Sequence, residues 1–277
     1  MPTISLCVIT KEYDDNVRRI IKDYSKSFDK VLIQINGGGK VPKNKSNVFF
    51  SKFKWINDFA AARNDILKKV ETDYWMWLDS DDYVENIQNI SNLLNYMKQN
   101  RIDIVFLPYH YNYDENGKVV NIYWRERVFK SSKDLIWTEK VHETIKTLND
   151  KANIVRSTDI TIKHINRNKE LDRLSAERNL KILREEYDSG DHRPMILYYL
   201  ASSYSVLGDN HKAIEFFEKI KYPEANYELK YDSILREVSC LFAVNRYDEG
   251  LEKYIEAIKL KPEYADAYFY YSSALLG

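Results

Sequence analysis

Residues Tyr74–Asp82 (YWMWLDSDD) carry the densest chemical signal in the chain, an apolar run of strand length that ends in three carboxylates, Asp79, Asp81 and Asp82. If the run is a strand of a parallel sheet, the acids arrive at the carboxyl edge, where open α/β folds bind ligands. Asp79 and Asp81 alternate along an extended chain, so both can point the same way. Carboxylates so placed repel each other unless a cation sits between them. Hard oxygen ligands suit Mg²⁺ or Mn²⁺ held jointly with substrate phosphates. The plainer reading is an acidic turn that caps a helix over 87–99, because Asp-rich turns commonly follow strands. Two other chemistries fit less well. A phosphatase nucleophile belongs on an early strand with Thr or Val shortly after the second Asp, whereas Asp82-Tyr83 follows here. A calcium loop needs more oxygens at alternating positions and a Gly.

The acids need a sheet to carry them, and the preceding sequence supplies one. Residues 4–9 (ISLCVI) read as a buried strand, and Val17, Ile20, Ile21, Tyr24 and Phe28 recur at helical spacing behind the capping candidates Asp14 and Asp15. A second apolar run, 31–35 (VLIQI), stops at Asn36-Gly37-Gly38-Gly39. Strand, helix, strand and a Gly stop make a βαβ unit with strands buried on both faces. The unit then repeats: a strand over 47–50, a helix from Asp58 to about Val70, the strand 74–78, a helix over 87–99 and a strand over 102–107. A mostly parallel α/β sheet follows. Beyond Leu107, Tyr109–Tyr113 and Val119–Trp124 flank the turn Asp114-Glu115-Asn116-Gly117, a hairpin signal carried by Asn-Gly. Arg127–Lys130 and Ile160–Ile165 read as further strands of an antiparallel extension.

From about Asn168 strand signals cease, and Leu171, Leu174, Leu180, Leu183 and Tyr187 give an amphipathic helix. The expected domains are therefore 1–167 and 168–277. The second is a repeat. Leu197, Ala201, Tyr204, Gly208, Ala213 and Phe217 fall where a tetratricopeptide unit puts its packing residues, and Ile234, Val238, Leu241, Gly250, Tyr254, Ala257 and Pro262 repeat the pattern. The extra spacing between the units is expected in the loop around Lys221–Asn226. Ala265, Tyr268 and Ser272 begin a third unit, whose single helix either caps the array or opens more of it. Stacked helix pairs leave a concave surface suited to an extended peptide or another subunit, so a homo-oligomer through this domain is one expectation. Tyr198, Tyr199, Tyr204, Tyr268, Tyr270 and Tyr271 either form that adhesive surface or pack repeat on repeat.

Composition sets outer bounds. With 44% hydrophobic and 30% charged residues, 22 Tyr, and only 8 Gly and 6 Pro, the chain is a folded globular protein. Its 42 Lys and Arg balance 42 Asp and Glu, which removes the electrostatic case for general nucleic-acid or anionic-membrane binding. Cys7 and Cys240 form no disulfide framework and no metal-site spacing, so a reducing cytoplasm is the default. No stretch reaches the ~18–20 apolar residues of a membrane span. The start, MPTISLCVIT, lacks a basic leader and a long enough apolar region for a secretory signal, and a cytoplasmic, unexported protein is expected.

The Asp-X-Asp of the fourth strand is preceded by Phe53-Lys-Trp55-Ile-Asn-Asp58-Phe59-Ala-Ala-Ala-Arg63-Asn64. It is followed in order by Arg125–Phe129 (RERVF), Trp137, Val141-His142-Glu143 and His164. This ordered set, across the whole chain, resembles the bacterial family 2 glycosyltransferases of GT-A fold, and most of all the subgroup with C-terminal tetratricopeptide repeats. The resemblance implies a GT-A-type, mostly parallel sheet with an antiparallel extension, followed by an all-α repeat domain. It also implies a nucleotide-sugar site. Thr10, Lys11 and Glu12 would line the nucleotide, and Asn36 would lie near base or ribose, although Asn36-Gly37-Gly38 replaces the commoner Asp-Gly start. Arg63 and Asn64, on the helix opened by Asp58, would touch the diphosphate or brace the acidic loop that includes Ser80. Asp79 would contact ribose or metal, Asp81 the metal, and His164 would be a third metal ligand or hydrogen-bond a neighbouring loop.

The chemistry accounts for these residue types. Breaking a sugar–phosphate bond leaves a nucleoside diphosphate whose growing charge Mn²⁺ or Mg²⁺ and Arg63 can neutralise. An inverting transfer also needs a base opposite the leaving group; Glu143 and His142 are the candidates, and Asp82 a weaker one. Each has a duller alternative: a surface acid, a core histidine satisfied by backbone. Trp124 and Trp137 either stack on sugars or belong to the core, and Trp75 and Trp77 are packing. The expectation is a metal-dependent glycosyltransferase taking a UDP-sugar to a protein, peptide or glycan acceptor, with inversion. Its rivals are a helical-repeat scaffold with a degenerate α/β part and a nucleotidyltransferase releasing pyrophosphate.

Overall fold

A computed structural model describes residues 1–132, 134–147, 152–164, 169–221 and 226–276. The chain divides into two compact units, Met1–Arg167 and Asn168–Gly277. In the first, β1 (Ile4–Thr10), β2 (Lys30–Ile35), β3 (Val48–Lys52) and β4 (Tyr74–Asp79) pair in parallel in the order β3-β2-β1-β4. Every residue of β1 is buried, as expected of a strand covered on both faces. One cover is α1 (Asp15–Tyr24) with α3 (Ile90–Asn100), whose Val17, Ile20, Leu93, Leu94 and Met97 pack with Leu6, Val8, Ile33, Met76 and Leu78. The other is α2 (Phe59–Leu67), whose Ala60, Ala62 and Ile66 pack with Cys7, Ile9, Leu32, Trp75 and Trp77. Both α1 and α2 begin on aspartate caps: Asp14 accepts from the Val17 N–H at 3.0 Å and Asp58 from the Ala61 N–H at 2.7 Å.

The antiparallel extension is longer than expected. The strands expected over 102–107 and 109–113 are one element, β6 (Ile104–Tyr113), and those over 119–124 and 127–130 are one element, β7 (Val119–Lys130). Pro108 suggests a break, yet it pairs with Trp124 inside the ladder. Strand β7 lies between β4 and β6, antiparallel to both. Val105 and Phe106 pair with Val128 and Glu126, which leaves Arg127 as the extra residue of a β-bulge. The sheet continues through β11 (Thr161–His164) to β5 (Asp82–Glu85), and β10 (Ile154–Arg156) pairs with β6. A hairpin of β8 (Leu135–Thr138) and β9 (Thr144–Thr147) carries Trp137 and the Val141–Glu143 turn. The helix expected from Asp58 to Val70 ends at Leu67, and that expected over 87–99 is a 3-10 turn, Ile87–Asn89, followed by α3, which Arg101 closes in the left-handed region at φ 55°. Ile165, expected in a strand, lies outside the described residues.

The second unit is all-helical: α4 (Lys169–Asp188), α5 (Pro194–Val206), α6 (Asn210–Glu218), α7 (Tyr227–Ala243), α8 (Tyr247–Leu260) and α9 (Ala265–Leu276). Contacts recur at the repeat period. The Tyr198 hydroxyl donates to Asp232, 34 residues on; Tyr231 donates to Asp266, 35 residues on; Cys240 meets Ser205 at 3.3 Å across 35 residues. Ala213 is buried, and Gly250 is forced small at the corresponding place, because a Cβ there would lie 2.1 Å from Phe242 Cε1. Tyr198 and Tyr204 pack inside the unit, while Tyr268 and Tyr270 are exposed. The extra spacing expected around 221–226 falls largely outside the described residues. Among the described residues no helix is long and apolar enough to cross a membrane.

Candidate active site at the carboxyl edge of the sheet

Parallel pairing brings the ends of β1, β2 and β4 to one edge, since Thr10 is in register with Ile35, and Ile9 with Asp79. The loops after β1 and β2 are tied together: the Asn36 N–H donates to the Thr10 carbonyl at 2.7 Å and the Gly37 N–H to the Lys11 carbonyl at 2.9 Å. A Cβ on Gly37 would lie 2.3 Å from that Lys11 oxygen, so only glycine permits this approach. Lys11 and Glu12 are exposed beside it, and Asn36 keeps a buried side-chain oxygen without a hydrogen-bond partner among the described residues.

The acids do not act as one alternating set. Strand β4 ends at Asp79, the chain turns through Ser80 and Asp81, and β5 begins at Asp82. The turn destroys the two-residue alternation that would have aimed Asp79 and Asp81 together. Asp79 instead accepts from Arg63 Nη2 at 2.9 Å. Asp81 and Asp82 converge with His164, one ligand atom from each lying within 4.8 Å of the others. Of the expected trio Asp79, Asp81 and His164, the last two come together, and among the described residues Asp82 rather than Asp79 has a ligand atom beside theirs.

Arg63 is the second organiser. It is nearly buried, its Nε donates to Glu143 at 2.6 Å, and its guanidinium lies over the rings of Trp77 and Trp137 at 4.2 and 5.0 Å. Burial opposes the charge on Arg63, and the carboxylates of Glu143 and Asp79 outweigh it. Burial alone would raise the Asp79 carboxyl; the charges of Arg63 and Arg127 hold it below its usual value. Among the described residues Asp81 pairs with no guanidinium. Burial and the neighbouring Asp79 charge raise its carboxyl above the ordinary range, and His164 Nε2 lies 3.8 Å from it. Burial would lower the His164 imidazole, but the hydrogen bond to Asp82 and the charges of Asp81 and Asp82 raise it.

Several expected contacts go elsewhere. Asn64 donates from Nδ2 to the Trp137 carbonyl at 2.8 Å and accepts the Trp137 N–H at 2.9 Å, so both ends of its amide hold β8. Asp58 is engaged in its helix cap. Trp137 is 2% exposed and packs edge-on to Trp77, which makes it core, and Trp124 lies under Arg156. His142 is exposed in the turn before Glu143, with φ 56°. Ser80 contributes its carbonyl, which accepts from Arg19 Nη2 at 3.1 Å.

The sequence reading passed over Arg127, Tyr109 and Arg19. Arg127 is 1% exposed and pairs through Nη1 with Asp82 Oδ2 at 3.0 Å; Tyr109 donates to Asp82 Oδ1 at 3.2 Å. Arg19 also donates to the Asp82 carbonyl at 2.9 Å. The legible signal for Arg127 was a charge inside an apolar strand, which demands a buried counter-ion.

Donors of this kind fit a divalent cation: hard carboxylate oxygen and imidazole nitrogen converge where carboxylates outnumber the cations paired with them. Comparison with known proteins bears on the reaction. The sequence pattern described as Glycosyl transferase family 2 matches residues 3–149. The SPbeta prophage-derived glycosyltransferase SunS of Bacillus subtilis (strain 168) is 20% identical over 288 residues, covering 99% of this chain and 67% of SunS. Among solved structures, S. aureus TarS 1-349 is 13% identical with a TM-score of 0.47, covering 95% of this chain and 92% of that one. A thermophilic TPR protein of Thermus thermophilus, TTC0263, is 21% identical with a TM-score of 0.34, covering 40% of this chain and 56% of that one. A family pattern that spans more than half of the chain decides between the enzyme and the scaffold: the chain belongs to glycosyl transferase family 2 and is a glycosyltransferase.

Proposed function

We propose that the edge formed by β1, β2 and β4 binds a nucleotide-sugar, a UDP-sugar by preference, and that the sugar passes with inversion to a protein, peptide or glycan acceptor with the aid of Mn²⁺ or Mg²⁺. The observation that carries this reading is the split among the acids of the described residues, with Asp79 paired to Arg63 and Asp81 beside His164. Asp81 and His164 are the residues that would hold the cation. When bound there, it supplies neutralisation of the charge that builds on the departing nucleoside diphosphate.

The remaining roles belong to the chain. Thr10, Lys11 and Asn36 line the nucleotide side, and the orphan Asn36 oxygen is suited to accept an N–H from a base. Arg63 carries a charge fixed between two aromatic rings and offers its donors to the diphosphate at the cost of its bonds to Asp79 and Glu143. Glu143, released from Arg63 by that exchange, is the base that takes the acceptor proton. His142, exposed beside it, is the second candidate. The exposed Tyr268 and Tyr270 of the helical unit suit a macromolecular acceptor, and a protein or peptide side chain is preferred.

A hydrolysis screen across nucleotide-sugars with Mn²⁺ or Mg²⁺, reading which nucleoside diphosphate is released, tests the proposal. UDP should appear, and Asp81→Asn should abolish it while the folded state persists. Full turnover in Asp81→Asn would refute the cation role, and consumption of added pyrophosphate to give UTP and a sugar 1-phosphate, in place of UDP release, would refute glycosyl transfer.

A further inference from the structure

Asp82 lies within reach of any cation held by Asp81 and His164, yet its lone pairs are already engaged. Its Oδ2 accepts the Asp79 N–H at 3.1 Å and pairs with Arg127 Nη1 at 3.0 Å; its Oδ1 accepts from the Tyr109 hydroxyl at 3.2 Å and lies 3.4 Å from His164 Nδ1. A carboxylate offers about four acceptor positions, and the Asp79 N–H, the Tyr109 hydroxyl, the Arg127 ion pair and the His164 ring surround those of Asp82. The residue is fully buried, as is Arg127, whose guanidinium is clamped 3.8 Å over Trp77 and 4.7 Å over Tyr109. The bulge in β7 aims Arg127 at this point. The Asp79 N–H, the Tyr109 hydroxyl and the Arg127 guanidinium all face Asp82 as donors, so Asp82 meets His164 as an acceptor, which places the proton of the facing histidine nitrogen on Nδ1. That leaves the His164 Nε2 lone pair directed toward Asp81, with the ring held by stacking on Tyr111 at 5.7 Å. Histidines that bind metals commonly have their other nitrogen fixed in this way by a carboxylate.

We infer that Asp82 and Arg127 are positioning residues: Asp82 fixes the Nδ1-protonated tautomer of His164 and thereby presents Nε2 beside Asp81, and Arg127 neutralises Asp82 and holds it in that orientation. The inference rests on the cation reading proposed above. It assigns Asp82 a role outside the ligand set, although its position would allow it inside.

The test is Mn²⁺ titration calorimetry on the full chain, metal-free at the start, for wild type, Asp82→Asn, His164→Ala and the double variant. Asp82→Asn should weaken Mn²⁺ binding roughly 10–100-fold, the usual cost of losing such a partner. In the His164→Ala background the same substitution should change affinity less than about threefold, because its effect passes through the imidazole. Equal losses in both backgrounds would make Asp82 a ligand and overturn the inference, as would an Asp82→Asn protein that binds like wild type. Should Asp82→Asn not fold, proton–nitrogen correlation of the histidine rings in metal-free wild type at alkaline pH decides, with His164 identified by its loss in His164→Ala. The Nδ1–H form supports the inference and the Nε2–H form overturns it. Wild type that binds no Mn²⁺ removes the cation reading and this inference together; wild type that binds Mn²⁺ with the other tautomer removes this inference alone.

Discussion

Replacing Arg63 by Met keeps most of its apolar stem and removes the charge that pairs with both Asp79 and Glu143. Arg63 is 7% exposed and Glu143 14%, so the Glu143 arm is close to a buried pair; Asp79 is 37% exposed and water compensates part of its loss. Breaking a buried pair from one side costs ~3–5 kcal/mol, and the partial exposure of Asp79 puts the expectation at the lower end, about 3 kcal/mol. For a unit of this size that corresponds to a fall in Tm of roughly 6–12 °C. All 5 tryptophans lie in the first unit, at positions 55, 75, 77, 124 and 137, so intrinsic tryptophan fluorescence during thermal unfolding reports on that unit alone. Arg63→Lys should recover only part of the loss, since an ammonium cannot make the paired bonds of a guanidinium. Acid pH acts on the same pair. Asp79 is held below its ordinary value, so its contribution is present above the unfolded carboxylate pKa near ~3.9 and fades as pH falls through the lower folded value. The gap between wild type and Arg63→Met should therefore narrow on acidification. A loss below about 1 kcal/mol, the size of an exposed pair, with a gap that does not change with pH, would show that Arg63 is not the counter-charge of this edge.

Three further perturbations probe other parts of the chain. Asn64→Asp puts a carboxylate against the Trp137 carbonyl in place of an N–H donor and should cost about 1–3 kcal/mol in tryptophan-monitored urea unfolding; an unchanged midpoint would mean that the two bonds to Trp137 contribute nothing. Gly37→Ala drives a Cβ against the Lys11 carbonyl at 2.3 Å and should cost a similar 1–3 kcal/mol, roughly that of an overpacked site, together with weaker UDP binding by calorimetry; wild-type affinity would disconnect these loops from the nucleotide. In the helical unit, burial raises the Glu237 carboxyl despite the Lys253 ammonium at 3.1 Å. The native state then holds the proton more tightly than the unfolded one, so this contribution is lost as pH rises through the raised folded value, and Glu237→Gln should flatten the pH dependence of helix melting without lowering neutral stability. A clear destabilisation at neutral pH would instead make the Lys253 pair a net support.

The sequence exposed the parts of the fold that rest on short-range regularity. Apolar runs at 4–9, 31–35 and 74–78, the aspartate caps at 14 and 58 and the Gly stop after Asn36 each act within a few residues, and the parallel half of the sheet followed from them. The site was legible as a list of residue types and less so as a geometry. A turn at Ser80-Asp81 separated two acids that an extended chain would have aligned, and no local propensity distinguishes Asp-Ser-Asp in a turn from the same residues in a strand. Arg127 was hidden because a one-residue bulge shifts the alternation of β7, so counting by twos from Phe129 does not report its surroundings. Asn64 is expected from the resemblance to touch the diphosphate or brace the acidic loop, and its bond to β8 is not among those expectations. Its partner, the backbone of Trp137, is 73 residues away and carries no side-chain signal at all.

The charges of the edge explain why the acids divide their work despite adjacent positions. Of the four carboxylates Asp79, Asp81, Asp82 and Glu143, among the described residues Arg63 pairs with Asp79 and Glu143 and Arg127 with Asp82, while Arg19 binds the Ser80 and Asp82 carbonyls. Arg127 is confined by Trp77 and Tyr109 and faces Asp82; Arg63 is confined by Trp77 and Trp137 and bridges Asp79 to Glu143. Trp77 therefore separates two cations that would otherwise repel, and its ring is attractive to each of them. Neither guanidinium can swing toward Asp81 without leaving that aromatic contact and exposing a buried carboxylate, which costs far more than an exposed pair returns. Among the described residues Asp81 is thus left without a paired guanidinium, and under the cation reading proposed above Trp77, two positions before Asp79, helps to set where a cation would bind. Trp77→Leu should redistribute the two arginines and lower the Mn²⁺ affinity of Asp81 without altering a single titratable group, measured by the same calorimetry; unchanged affinity in a folded Trp77→Leu protein would show that the acids, and not the aromatic wall, set the site.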